Sequence, residues 1–113
     1  MKTLLFVDDN KDTLYSIREA LQDEYKIITT NEPGSVFEKI TKTKPDIAFL
    51  DIMMPNINGW SIAEKLKEKS QIPIVFLSAL TDEKTIEKCG RYGHYLEKPF
   101  FISDIRNLIK ELT

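Results

Sequence analysis

Apolar residues 4–7 (Leu4, Leu5, Phe6, Val7) form a short uninterrupted run that ends abruptly at Asp8, Asp9 and Asn10. A strand covered on both faces reads this way, because neither side of its pleat meets water. The pattern recurs where residues 47–50 run into Asp51 and where residues 74–77 run into Ser78. Residues 26–30 and 94–96 are weaker strands. Between the strands the period becomes helical. Leu14, Ile17 and Leu21 fall at i, i+3 and i+7; Val36, Phe37 and Ile40 mark a second helix; Ile62, Ala63 and Leu66 mark a third. The last is the clearest, with Ile105, Leu108, Ile109 and Leu112 on one stripe, Asp104 in its first turn and Lys110 near its end, as the helix dipole prefers. The fourth, around residues 82–89, is poor: it offers only Ile86 and Cys89 as an inward face, and Gly90 and Gly93 are expected to stop it early. Residues 56–59 and Pro33 with Gly34 read as loops.

Strands of this kind alternating with helices specify a parallel sheet covered on both faces by right-handed crossovers. About five βα units fit the length. No internal repeat, low-complexity stretch or linker interrupts the alternation, so residues 1–113 are expected to form a single domain.

Composition narrows the functions. Apolar residues make up 42% and charged residues 30%, and the net charge of −2 provides no attraction for nucleic acid or anionic membrane, so neither is expected as a direct partner. One cysteine, Cys89, excludes an internal disulfide or a cysteine-rich zinc site and suits a reducing compartment. The N-terminal apolar run is far shorter than a signal-peptide core, and the expected location is the cytoplasm.

In open α/β sheets the ligand site lies beyond the carboxyl ends of the strands. That rule gathers Asp8 and Asp9 from the first strand, Asp51 from the third, Ser78 from the fourth and Lys98 just beyond the fifth. Each alone has an ordinary explanation: an acidic pair caps a helix, a serine makes a turn, a lysine is solvated. Together they suit a specific chemistry. Clustered carboxylates repel unless a cation offsets them, and magnesium accepts one or two carboxylates, a backbone carbonyl and phosphate oxygens in its octahedral shell. Aspartate can act as a phosphoryl acceptor, and such transfer needs positioning and positive charge above all. Lys98 would supply charge from the other side, and the Ser78 hydroxyl a hydrogen bond.

These residues resemble the receiver domain of two-component response regulators. The matching pieces are Phe6-Val7-Asp8-Asp9-Asn10, Leu50-Asp51-Ile52-Met53-Met54-Pro55 with Asn58-Gly59, Leu77-Ser78-Ala79, and Tyr95-Leu96-Glu97-Lys98-Pro99-Phe100. The resemblance covers the whole chain. It implies a flavodoxin-like (βα)5 doubly wound fold, a five-stranded parallel sheet of order 2-1-3-4-5 with helices on both faces. It implies that Asp51 is the phosphoacceptor, and that Asp8, Asp9, Asp51 and the backbone carbonyl of Met53 hold Mg2+, with Mn2+ as a substitute. Ser78 looks like the switch hydroxyl, Lys98 like its phosphate-pairing lysine, and Tyr95 like the aromatic residue that turns inward when the hydroxyl moves. The Lys98–Pro99 peptide would be cis. The implied partners are a sensor histidine kinase or histidine phosphotransfer protein upstream and an effector domain or protein downstream. A homodimer formed on phosphorylation is compatible with the family, although Leu108 stands near the place where the DNA-binding winged-helix subfamily has a pairing arginine. The stretch from Ser78 to Tyr95 is about two residues shorter than the family's, and it carries Gly90-Arg91-Tyr92-Gly93-His94 where most members have Gly-Ala and two small or acidic residues before the aromatic. Met53 and Leu80, apolar and two positions beyond Asp51 and Ser78, are expected to slow loss of phosphate by excluding water; unchanged phosphate loss after making both polar would overturn that expectation.

Other residues read as structural. His94 at a strand edge is expected to be structural or solvated rather than a phosphodonor or ligand, Cys89 to fill space, and Trp60 to pack at the start of the third helix. Two rival functions are weaker. A phosphate-independent interaction module has no use for clustered carboxylates and their desolvation cost. An aspartyl-phosphate hydrolase resembles the site but carries a second aspartate where Met53 stands, and needs a substrate cap for which the chain lacks length.

Overall fold

The structure is a computed structural model that describes residues 1–54, 57–79 and 82–113. Its strands are β1 (Thr3–Val7), β2 (Lys26–Thr30), β3 (Ile47–Asp51), β4 (Ile74–Ser78) and β5 (His94–Glu97), and its helices α1 (Lys11–Leu21), α2 (Val36–Thr43), α3 (Gly59–Lys69), α4 (Glu83–Tyr92) and α5 (Ile102–Leu112). The strands form one parallel sheet ordered β2-β1-β3-β4-β5. This is the doubly wound arrangement, in which the crossovers leaving β1 and β3 part to opposite faces.

The uninterrupted apolar runs follow from that layering. Leu5, Val7, Ala48, Leu50, Ile74 and Phe76 point to one face and pack with Val36, Ile62, Ala63, Leu66 and Cys89 from α2, α3 and α4. Their neighbours Leu4, Phe6, Ile47, Phe49, Val75 and Leu77 point to the other and meet Leu14, Ile17, Leu21, Ile105 and Ile109 from α1 and α5. Phe6 and Phe49 stack across β1 and β3, ring centroids 4.5 Å apart. Each central strand thus buries both sides of its pleat, and no position on it is left for a polar residue until the strand ends.

Three sequence expectations need correction. The fourth helix does not stop at Gly90: α4 continues to Tyr92 and ends before Gly93. An interior glycine costs a helix about 1 kcal/mol, which the packing of Cys89 and Tyr92 on either side of it offsets. Its start is firm, because Asp82 caps it by accepting from the Thr85 N–H at 3.1 Å. Ile86, expected inward, is 42% exposed, so the inward stripe runs through Cys89 and Tyr92. Residues 56–59, expected as a loop, include Ile57–Asn58, which pairs antiparallel with Met53–Met54, and Gly59, the first residue of α3; Asn56 lies outside the described residues.

Gly93 has a different duty from Gly90. A Cβ there would lie 2.2 Å from the Ile74 carbonyl oxygen, whereas one at Gly90 would meet nothing within 4 Å. The absent side chain lets β5 begin against β4.

Candidate functional site

The carboxyl ends of β1, β3 and β4 all finish in buried polar side chains. Asp8 is 1% exposed, Asp51 4% and Ser78 0%. These polar positions sit in the ladder itself or directly on its end: Asp51 pairs with Leu77, Ser78 pairs with Glu97, and the Asp8 N–H donates to the Thr30 carbonyl at 3.2 Å. Beyond β5 the Lys98 N–H donates to the Ser78 carbonyl at 2.8 Å, which sets the lysine beside the ends of the central strands. The Lys98–Pro99 peptide is cis, as the resemblance implies.

Asp8, Asp9 and Asp51 each present a carboxylate oxygen within 4.8 Å of the other two, with Asp9 exposed and its neighbours buried. Lys98 closes the cluster from one side. Its Nζ donates to Asp51 Oδ2 at 3.0 Å and to Asp8 Oδ2 at 3.1 Å, while 27% of the side chain stays exposed. Burial pulls the ammonium pKa down, but the hydrogen bonds to Asp51 and Asp8 and their charges outweigh it, so the pKa is raised and the lysine is cationic at neutral pH. One cation faces three carboxylates. An oxygen-rich group of this charge suits a hard divalent ion, and the remaining carboxylate oxygens are of the type it takes. Among the described residues this is the group of His, Cys, Asp and Glu side chains arranged to hold a metal.

The helix-cap explanation of the acidic pair is excluded. Asn10 caps α1, its side chain accepting from the N–H groups of Asp12 at 3.0 Å and Thr13 at 3.2 Å. Asp8 in turn accepts from the Asn10 N–H at 2.9 Å, which fixes its carboxylate at the strand end. This supporting role of Asn10 was not assigned from sequence, although an Asx residue at a strand-to-helix junction is its signal.

Tyr95 stands opposite Phe76 in the β4–β5 ladder and packs half-buried on the face under α2, α3 and α4. Burial and then the charge of Glu97 push its hydroxyl above the ordinary value, so it is a neutral donor at physiological pH. Trp60 packs as expected at the start of α3, with ring centroids 5.0 Å from Phe76 and 6.1 Å from Tyr92, and Lys88 Nζ lies 4.8 Å over its ring. His94 is exposed and Cys89 buried. Met53 begins the short antiparallel pair next to Asp51. Leu80 lies outside the described residues, as does the side chain of Met53. No described helix is long and apolar enough to cross a membrane.

Residues 4–110 match the family model described as the response regulator receiver domain. An uncharacterized response regulatory protein of Yersinia pestis is 36% identical over 100% of this chain and 48% of its own length. The sensor histidine kinase TmoS of Ectopseudomonas mendocina is 32% identical over 96% of this chain and 12% of its own. The chain therefore spans about half, or much less, of these curated relatives. Among solved structures, the response regulator TrrA of Thermotoga maritima, described in complex with Mg(2+)-BeF, superposes with a TM-score of 0.87 at 27% identity, covering 100% of both chains.

Proposed function

This chain belongs to the response regulator receiver domain family, and on that premise we propose that Asp51 accepts a phosphoryl group and that Ser78, Lys98 and Tyr95 convert the new charge into a changed surface. Receiver domains are signalling phosphoacceptors of two-component systems rather than ordinary enzymes. The observation that carries the assignment of Asp51 is its position: a buried carboxylate held by Lys98 at 3.0 Å, inside a cluster of acidic oxygens that matches the needs of a divalent ion.

Asp8, Asp9, Asp51 and the Met53 backbone carbonyl would hold Mg2+, with Mn2+ as a substitute. Bound there, the ion would supply positive charge to the phosphoryl oxygens. The chain's own residues do the rest. The Asp51 carboxylate oxygen forms a bond to phosphorus as the bond from phosphorus to the donor nitrogen breaks, its electron pair leaving with the donor imidazole. Lys98 is already within hydrogen-bond reach of Asp51 and needs only a small movement to pair with the transferred group. The buried Ser78 hydroxyl is the second donor, and its movement frees space that the Tyr95 ring fills, biasing the β4–α4 region between two arrangements.

Residues 1–113 act on this reading as one cytoplasmic receiver domain, fed by a sensor histidine kinase or a phosphotransfer protein and read by an effector. A groove of about 690 Å3 between α1 and the segment entering α5, lined by Thr13, Ile17, Lys98 and Phe100, opens beside the acceptor and suits the approach of a donor protein. The test is to incubate the chain and Asp51→Asn with acetyl phosphate, with and without Mg2+, and to read the intact mass. A metal-dependent adduct absent from the variant is expected. No adduct under conditions where Mg2+ binding is demonstrated would turn the reading toward a phosphate-independent interaction module.

A further inference from the structure

The seam between α2 and α3 stays open at the end of the sheet remote from Asp51. A groove of about 490 Å3 lies there, bounded by α2 from Phe37 in its first turn to its C-terminal end, by the last turn of α3 and by the segments that lead into β3 and β4. The acidic cluster sits at the opposite ends of those strands, roughly 15 Å away by the rise of a five-residue strand. Phe37, Ile40, Leu66 and Ile72 floor the groove. Leu66 is fully buried, but Phe37, Ile40 and Ile72 are only half-buried.

The rim is basic. Lys44 and Lys69 line it, and Lys65 and Lys69 reach over the Phe37 ring, with Nζ 5.8 and 5.4 Å from its centroid. Among the described residues none that lines it is acidic, in a chain whose net charge is −2. The dipoles of α2 and α3 favour lysines at their C-terminal ends and so explain why the cations are there. They do not explain the apolar floor, whose half-covered side chains gain from burial against a partner.

We infer that this groove docks an acidic amphipathic helix of a partner protein, its apolar stripe on Phe37, Ile40 and Ile72 and its carboxylates beside Lys44, Lys65 and Lys69. α2 has 8 residues and is about 12 Å long, which matches an occupant of about two helical turns. The basic rim selects the sign of the partner and speeds its encounter, while the apolar floor holds it. Because the groove lies away from Asp51, this contact does not depend on the phosphoryl chemistry.

The test is an amide-shift titration of the 15N-labelled chain with three probes: a synthetic amphipathic helix with a leucine stripe flanked by glutamates, its counterpart with lysines in place of the glutamates, and phosphatidylserine vesicles. The acidic peptide is expected to give saturable shifts at Phe37, Ile40, Lys44 and Ile72 while the amides of Asp8 and Asp51 stay in place, and the basic peptide none. Lys65 and Lys69 are exposed, so Lys65→Gln/Lys69→Gln keeps its fold, which the same spectra check, and is expected to bind the acidic peptide roughly tenfold more weakly. Four results would each overturn the inference: no saturable shift, shifts mapping to another face, equal binding of both peptides, or unchanged affinity in the double variant. So would vesicle binding that the acidic peptide fails to displace, which would assign the face to anionic lipid.

Discussion

Replacing Asp51 with asparagine separates the electrostatic cost of the acidic cluster from its use. Asp51 is 4% exposed and Asp8 1%, and their carboxylate oxygens lie within 4.8 Å of each other. At an effective dielectric constant near 20, two like charges at that separation repel by about 3.5 kcal/mol, and the true separation is no larger. Holding a carboxylate away from water adds a penalty of about several kcal/mol. Against these, Lys98 at 3.0 Å attracts Asp51 by at most about 5.5 kcal/mol on the same scale. Its 27% exposure weakens that attraction, and in the variant Lys98 keeps Asp8. The balance favours the variant by about 2 kcal/mol when no divalent ion is present. For a domain of this length that raises Tm by roughly 8 °C. If the acidic cluster holds Mg2+ as proposed, the ion at ten times its dissociation constant would stabilise the native chain by about 1.4 kcal/mol and narrow the gap. Thermal and urea unfolding of both proteins, in EDTA and in graded Mg2+, reads these terms directly. A variant less stable than the native chain in EDTA, or an equal Mg2+ effect on both, would refute the reasoning.

Lys98→Met removes the cation between two buried carboxylates and is expected to cost about 3 kcal/mol in urea unfolding, the lower end for a broken buried pair because the lysine is partly exposed; a loss below about 0.5 kcal/mol would mean that the pairing is not structural. The two glycines of the fourth crossover should respond with opposite signs. Gly90→Ala, with nothing within 4 Å of the new Cβ, should stabilise by about 0.5–1 kcal/mol. Gly93→Ala places its Cβ 2.2 Å from the Ile74 carbonyl oxygen and should destabilise by about 1–3 kcal/mol; a lower urea midpoint for Gly90→Ala would overturn the first assignment and a higher one for Gly93→Ala the second. Burial pushes the Cys89 thiol up to about 11 from its ordinary 9.0. The folded chain then binds the extra proton between those values, so stability should fall as pH rises across that window, and Cys89→Ala should flatten the slope. The raised Lys98 pKa has the same sign: its contribution is complete below the ordinary lysine value and is lost only as pH rises through the higher folded one.

Much of this protein was legible in one dimension. Buried strands advertise themselves because both faces of the pleat exclude water, so residues 4–7, 47–50 and 74–77 appear as unbroken apolar runs, and each strand end is marked by the first polar residue. That is why Asp8, Asp51 and Ser78 stand out: the sheet rule places such ends together, and the resemblance to receiver domains adds Tyr95 and the cis bond before Pro99 to what the residues suggest. The order of the strands came from that resemblance as well, since local pattern carries no information about which strands pair.

Other features belong to the tertiary structure alone. The length of α4 depended on whether Cys89 and Tyr92 find a surface that offsets the cost of Gly90, and an isolated helix of that sequence has no such surface. The different duties of Gly90 and Gly93 are set by the position of the Ile74 carbonyl, nineteen residues earlier in the chain than the latter (93 − 74). Lys98 looks like any surface lysine until the end of β5 is hydrogen-bonded to the end of β4, and only then does its ammonium bridge Asp8 and Asp51. The basic-rimmed groove between α2 and α3 likewise joins residues from two helices that no periodicity connects. Sequence by itself determined which residues leave water and which polar groups lie at the strand ends, because burial is a property of the local pattern. The distances that make those groups a site were decided by packing, because charge and contact act through space and not along the chain.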